Sequence, residues 1–132
     1  FLVNDACYLT HTTLVSAAIL RFDAQLSTYK AHLKRSRQIN PCYRCLFPDP
    51  PVPETIPSCA EAGVLGALCG VVGSFQATEI LKELTGAGTS LSGYLMIIDG
   101  LSSEFRKIKI RPDPDCALCC RHPKITDLSS HE

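Results

Sequence analysis

The chain has 132 residues, 45% of them apolar, which is enough for one domain with its own core and no need of crosslinks. Thirteen Lys and Arg balance thirteen Asp and Glu, so there is no general attraction to nucleic acid or to anionic lipid, and neither is expected as a partner. Eight cysteines suit either disulfides in an oxidising compartment or thiolates in a reducing one; no signal peptide precedes them and their spacing is that of metal ligands, so a cytoplasmic location is expected.

Phe1 to Leu9 places Leu2, Val3, Ala6 and Leu9 on one helical face. The chain opens inside that pattern and without Met, from which a preceding N-terminal portion is expected. Thr13 to Leu20 is a β-branched and small apolar run, apolar on both faces, which predicts an interior strand of a sheet covered by helices. Phe22 to Tyr29 alternates loosely, with Phe22, Ala24 and Leu26 against Asp23, Gln25 and Ser27, and predicts a strand with one wet face. Lys30, His32, Lys34, Arg35 and Arg37 then form a basic cluster within 30–38, best explained as a solvated loop and given no role.

Pro48, Pro50, Pro51, Pro53 and Pro57 make the stretch from Phe47 to Pro57 extended, stiff and outside the sheet. It delivers Cys59 to the start of the next helical pattern. From Val64 to Thr85, Leu65, Leu68, Val72, Phe75, Ile80 and Leu84 recur at helical intervals, predicting a long helix whose small-residue first half is buried and whose charged second half surfaces. The uncharged run Ala62 to Thr78 is short for a membrane span and is broken by Gly63, Gly66, Gly70 and Gly73; the Gly66 to Gly70 spacing suits close packing of a helix on a sheet. Gly86 and Gly88 end the helix. Gly93 to Asp99 and Glu104 to Arg111 predict an antiparallel hairpin, the second strand alternating Ile108 and Ile110 with Lys107, Lys109 and Arg111 so that one face is exposed. A polar tail occupies 121–132. No internal repeat is evident.

Two stretches carry metal-ligand spacing: Cys42-Tyr43-Arg44-Cys45 and Cys116-Ala117-Leu118-Cys119. Two residues between thiolates let each pair turn around one ion, and two pairs supply a closed tetrahedral site. In a compact zinc ribbon the second pair follows within about twenty residues. Here the separation is far longer, so the ion would clip the chain's end to its early part in a structural role. Cys120 adjoins the second pair and competes as a ligand, while Cys116 with Cys119 reproduces the spacing of the first. His122 and His131 lie in the tail and are expected to be solvated. Cys7 and Cys69 fall within apolar helical patterns and are expected in the core. Cys59 supports two readings, a small buried hydrophobe or a thiol whose pKa is lowered at a helix start. The remaining residues assemble no Ser/His/Asp triad, phosphate loop or carboxylate pair.

Five segments in order, Phe1-Leu-Val-Asn-Asp-Ala-Cys, Cys42-Tyr-Arg-Cys-Leu-Phe-Pro, Ser58-Cys-Ala-Glu-Ala-Gly-Val-Leu-Gly, Gly73-Ser-Phe-Gln-Ala-Thr-Glu-Ile-Leu-Lys and Asp113-Pro-Asp-Cys-Ala-Leu-Cys, resemble the C-terminal half of MoeB/ThiF/HesA adenylyltransferases, relatives of the ubiquitin-activating enzymes. The resemblance implies an α/β fold: the C-terminal half of a Rossmann-like domain over 1–120, with a mixed sheet, a long packed helix and a structural zinc site, followed by the tail 121–132. It implies ATP- and Mg-dependent activation of the C-terminal glycine of a ubiquitin-like sulfur carrier of the MoaD/ThiS type, as acyl-adenylate, for molybdopterin or thiamin synthesis, in a homodimer. Cys42, Cys45, Cys116 and Cys119 match the family's zinc ligands. Cys59 matches a cysteine that in some members relays sulfur or bonds the carrier, and Asn4 matches an asparagine beside the nucleotide half. The glycine-rich loop, basic residues and aspartate that handle ATP belong to the preceding half, so this chain alone is expected not to adenylate. It departs from the family in the basic insertion before Cys42 and in Cys120, where glycine is usual. The competing reading is a non-catalytic zinc-stapled interaction module that docks through Tyr94 to Arg111 and the basic insertion; a redox thiol protein fits the paired knuckles less well.

Overall fold

A computed structural model describes residues 1–33, 40–52, 55, 57 and 59–131, with Cys59 and Ser130 described by backbone alone. In chain order the regular elements are α1 (Leu2–Leu9), β1 (Leu14–Leu20), β2 (Asp23–Tyr29), a 3-10 turn (Tyr43–Cys45), α2 (Cys59–Ala62), α3 (Gly66–Thr85), β3 (Tyr94–Asp99), β4 (Glu104–Lys109) and a closing 3-10 turn (Ser129–His131). They fall into two units. A cysteine unit comprises Phe1–Leu14, Tyr29–Pro50 and Ile110–Glu132; a sheet unit comprises Val15–Thr28 and Pro51–Lys109.

In the sheet unit the strands lie in the order β1-β2-β3-β4. The expected hairpin is present: β3 and β4 pair antiparallel from Tyr94 opposite Lys109 to Asp99 opposite Glu104. β2 pairs antiparallel with β3, Asp23 facing Asp99 and Leu26 facing Met96. A sheet expected to be mixed is thus antiparallel in both registered pairs, and the parallel contact described is an isolated bridge between Arg21 and Val64. The short link of Arg21 and Phe22 between β1 and β2 leaves no room for the crossover that parallel neighbours require. Gly100 closes the turn after β3: its N–H donates to the Phe22 carbonyl at 2.8 Å, and an added Cβ would sit 2.8 Å from that same oxygen.

Two strand expectations are reversed. β1, expected inside the sheet, is at one end of it with its residues half-buried and Ala18 exposed. β2, expected to have a wet face, is buried from Leu26 through Tyr29. The polar residue Ser27 tolerates this because its hydroxyl donates to the Tyr94 carbonyl at 2.7 Å, so burial leaves it satisfied. β4 corrects a third: all six of its residues are exposed, Phe105 and Ile108 included, so both faces are wet.

The long helix is present as α3, and Gly86 ends it in a left-handed conformation (φ 71°) with its N–H on the Lys82 carbonyl. That φ suits glycine because any Cβ would crowd the following carbonyl. Its expected division into a buried first half and an exposed second half does not hold. The buried residues Leu68, Val72 and Glu79 form one stripe along the whole length, while Val71, Phe75, Ile80, Leu81 and Leu84 are exposed. Leu68 and Val72 pack with Ala24 and Ile98, and Ala17, Ile19 and Met96 flank them. Cys69, one residue off the stripe and therefore about 100° around the helix, is exposed, against its expected place in the core. Gln76 donates to the Val15 carbonyl at 2.8 Å, and buried Glu79 pairs with Lys82 and accepts from the Leu91 N–H.

The cysteine unit has little regular structure beyond α1. Its centre is Cys42, Cys116 and Leu118, with Tyr8, Ala31, Cys45, Cys119, Cys120 and Ile125 packed around them. The described residues between Phe47 and Pro57 form neither helix nor strand, as their prolines predict. Lys34, Arg35, Arg37 and Gln38 of the basic cluster, like Pro53 and Ser58, lie outside the described residues.

Candidate metal centre

Each knuckle is shaped by its own backbone. Cys42 is extended (φ −99°, ψ 174°) and leads into the 3-10 turn, which the Cys45 N–H closes on the Cys42 carbonyl at 3.1 Å. This turn swings both sulfurs to one side, 3.8 Å apart. At the second knuckle the Asp113 carboxylate accepts from the Asp115 N–H at 2.9 Å and the Asp113 carbonyl from the Cys116 N–H at 3.2 Å. Behind it, the Ala117 carbonyl accepts from the N–H groups of Lys124 and Ile125.

The two knuckles meet. Cys42 Sγ lies 3.5 Å from Cys116 Sγ, and Cys45 Sγ lies 3.3 Å from Cys119 Sγ; all four sulfurs fall within 4.8 Å of one another. A tetrahedral site with metal–sulfur bonds of about 2.3 Å has sulfur–sulfur edges of about 3.8 Å, so the four could close on one ion with shifts of a few tenths of an ångström at the two shortest edges. They are too far apart for disulfides, whose sulfurs approach to about 2.05 Å, and all four are free thiols. Cys42 and Cys116 are buried, Cys45 and Cys119 half-buried. The sulfurs compete for protons: hydrogen bonding with Cys116, then with Cys119 and Cys45, and burial push the Cys42 thiol up, whereas hydrogen bonds from Cys119 and Cys42 hold Cys116 down. A divalent cation held by the four would resolve the conflict by neutralising thiolates together. Cys120 is half-buried against this cluster, but the four-sulfur group among the described residues does not include it.

Next to the sulfurs is a buried ionic group that the sequence did not reveal. Asp5 is fully buried. Arg44, between the two cysteines of the first knuckle, donates from Nε at 2.9 Å to Oδ1 and from Nη2 at 2.8 Å to Oδ2. Asn4 Nδ2 bonds Asp5 Oδ1 at 2.9 Å, and His131 Nε2 lies 2.8 Å from Oδ2. Burial acts to raise the Asp5 pKa, but the hydrogen bonds from Arg44, His131 and Asn4 and the Arg44 charge outweigh it and hold the carboxyl below its ordinary value. The bond to Asp5 likewise raises Arg44. Two features of the sequence could have pointed here: a carboxylate in the first turn of a mostly apolar helix, and an arginine enclosed by two paired cysteines.

The sequence-predicted residues are thus placed as follows. Cys42, Cys45, Cys116 and Cys119 come together. Asn4 lies in the same unit, its amide used at both ends, Nδ2 on Asp5 and Oδ1 accepting from the Tyr43 N–H at 2.9 Å. Cys59 opens α2 in the sheet unit, and its side chain is outside the described residues. Cys7 is half-buried. His122 is exposed as expected, but His131 is not solvated: its side chain is 15% exposed and bonded to Asp5. No helix among the described residues is long and apolar enough to cross a membrane.

Comparison with known proteins is consistent with this geometry. The ThiF family profile matches residues 1–118. A protein named adenylyltransferase and sulfurtransferase MOCS3 is 47% identical in Mus musculus and 50% identical in Bos taurus, in each case over all of this chain and 28% of that protein. A sulfur carrier protein adenylyltransferase of Thermus thermophilus is 46% identical over all of this chain and 48% of its own length. The chain therefore spans between about a quarter and a half of these relatives. Among solved structures, E. coli MccB superposes on 91% of this chain and 35% of its own with a TM-score of 0.68 at 14% identity, a likeness of fold. With a profile match over residues 1–118 and these relatives aligned along the whole of this chain, the chain belongs to the ThiF family.

Proposed function

We propose that this chain forms the C-terminal part of an ATP-dependent adenylyltransferase that activates the C-terminal glycine of a ubiquitin-like sulfur carrier of the MoaD/ThiS type. The observation that carries this reading is the 46% identity, along the whole chain, to a protein named for adenylylating a sulfur carrier. ATP with Mg would supply the adenylyl group to the glycine carboxylate, with pyrophosphate leaving, and the acyl-adenylate would then accept sulfur for molybdopterin or thiamin synthesis. The working form would be a cytoplasmic homodimer.

Within it, Cys42, Cys45, Cys116 and Cys119 would hold a structural zinc ion. Four protein thiolates leave no position for water or substrate, which is the mark of a structural site. Asn4 would support the nucleotide half through α1, and Cys59 would relay sulfur or bond the carrier. The ATP-handling residues of the family have no counterpart in these residues, so the 132-residue chain would not adenylate alone.

Carrier-dependent exchange between ATP and pyrophosphate tests the reading. Exchange is expected from a protein that carries this chain at the length of its relatives, and none from the 132 residues alone. Exchange by the isolated chain would refute its dependence on another half, and no exchange by the longer protein with either type of carrier would refute the adenylyltransferase reading in favour of a zinc-stapled interaction module. Cys59→Ala in the longer protein should leave exchange intact and lower thiocarboxylate yield; an unchanged yield would reject the relay.

A further inference from the structure

The Asp5 carboxylate has four lone-pair positions, and each is taken. Oδ1 receives Asn4 Nδ2 and Arg44 Nε; Oδ2 receives Arg44 Nη2 and His131 Nε2, with Arg44 Nε also reaching it at 3.1 Å. Asp5 is an acceptor only, so the proton in the contact with His131 is carried by the imidazole Nε2. The histidine comes from the last turn of the described chain, 126 residues from its partner. It therefore completes a buried ionic group whose other members grip the first cysteine knuckle.

That grip acts on two consecutive residues of the turn. The Tyr43 N–H is held by Asn4 Oδ1 at 2.9 Å. Arg44 is held by Asp5, donates from Nη1 to the Pro48 carbonyl at 3.1 Å, and lies over the Phe1 ring at 5.0 Å. Tyr43 and Arg44 are the two residues between the ligands Cys42 and Cys45, so any shift of their backbone moves a thiolate. Removing His131 would take from Oδ2 of a buried carboxylate the one donor that does not come from Arg44. The group must then turn or admit water, and either response loosens Arg44.

We propose that His131 is a positioning residue for the metal centre: docked on Asp5, it acts through Arg44 to keep the first knuckle closed, so that undocking the 3-10 turn Ser129–His131 speeds loss of the ion. This rests on the zinc reading above. Groups that support ligands from behind commonly alter metal affinity by about 10- to 100-fold when removed. The His131 contact is two bonds from the ligands, which places its effect at the lower end.

The test loads with zinc a protein that carries this chain at the length of its relatives and follows release to a chromogenic chelator. His131→Ala should release zinc about tenfold faster than the unaltered chain, following the scale for such supporting groups. His131→Gln, whose amide nitrogen can donate to the same oxygen, should restore most of the retention. His122→Ala, at an exposed histidine of the same tail, should leave the rate unchanged. Release from His131→Ala at the unaltered rate, or equal acceleration by His122→Ala, would overturn the latch while leaving the metal site intact. A chain that takes up no zinc would overturn the metal reading and the latch with it. Amide exchange at Tyr43 gives a second readout: it should quicken in the zinc-loaded His131→Ala chain and not in His122→Ala, and its constancy in both would also count against the latch.

Discussion

The sheet unit and the cysteine unit hold their buried groups with different materials. In the sheet unit, backbone polar groups pair in antiparallel ladders, and a small apolar cluster of Ala24, Leu68, Val72 and Ile98 joins α3 to the strands. In the cysteine unit the centre consists largely of cysteines, beside an ionic group of Asp5, Arg44, Asn4 and His131. The first unit is stabilised mainly by apolar burial, which is spread over many contacts and has no strict geometry. The second depends on a few directional interactions, each of which fails outright when one partner is lost. The two should therefore differ sharply in how they respond to single changes.

Removing a sulfur ligand should have the largest effect. Cys116→Ser is expected to abolish a stoichiometry of about one zinc per chain, since four thiolates are needed to close the site. Amide protection should fall across residues 40–50 and 110–125 and persist in β2 and β3. A uniform loss of protection in both units would break the contrast between them. Asp5→Ala comes next: it strands the Arg44 guanidinium in the interior and should cost about 3–5 kcal/mol in chemical unfolding. The sign of its pH dependence follows from the depressed carboxyl of Asp5. Its contribution is fully present above the ordinary value of 3.8 and is lost as pH falls through the lower folded value, so a stability difference between the unaltered chain and Asp5→Asn should shrink only under strong acid.

In the sheet unit, Ile98→Ala should cost about 2–5 kcal/mol by cavity formation in the apolar cluster, without changing zinc content. A zinc loss on that substitution would show that the two units are coupled. Gly86→Ala, forced into a left-handed conformation at the end of α3, should cost about 1 kcal/mol. Phe75→Ser, on the exposed side of α3, should move stability by no more than about 0.5 kcal/mol in the isolated chain. A larger loss would mean that the Phe75 and Phe105 rings, 5.7 Å apart, contribute more than their exposure suggests.

The sequence by itself determined what depends on local spacing. Two residues between paired cysteines specify a knuckle, apolar intervals of three and four specify α3, Gly86 stops it, and a four-residue turn joins β3 to β4. These patterns are legible because the interacting atoms are close along the chain. The tertiary structure decided what depends on which surface becomes covered. β1 carries the apolar composition of an inner strand and lies at an end of the sheet, whereas β2 is buried from Leu26 through Tyr29 despite Ser27 and Thr28, a carbonyl of β3 satisfying Ser27. The ionic group was hidden for a related reason. Asp5 meets Arg44 across 39 residues and His131 across 126, and no periodicity reports a pairing made at such separation. Four cysteines announced a candidate metal site through their spacing; the groups that hold its first knuckle in place became visible only when folding removed them from water and obliged each to find a partner.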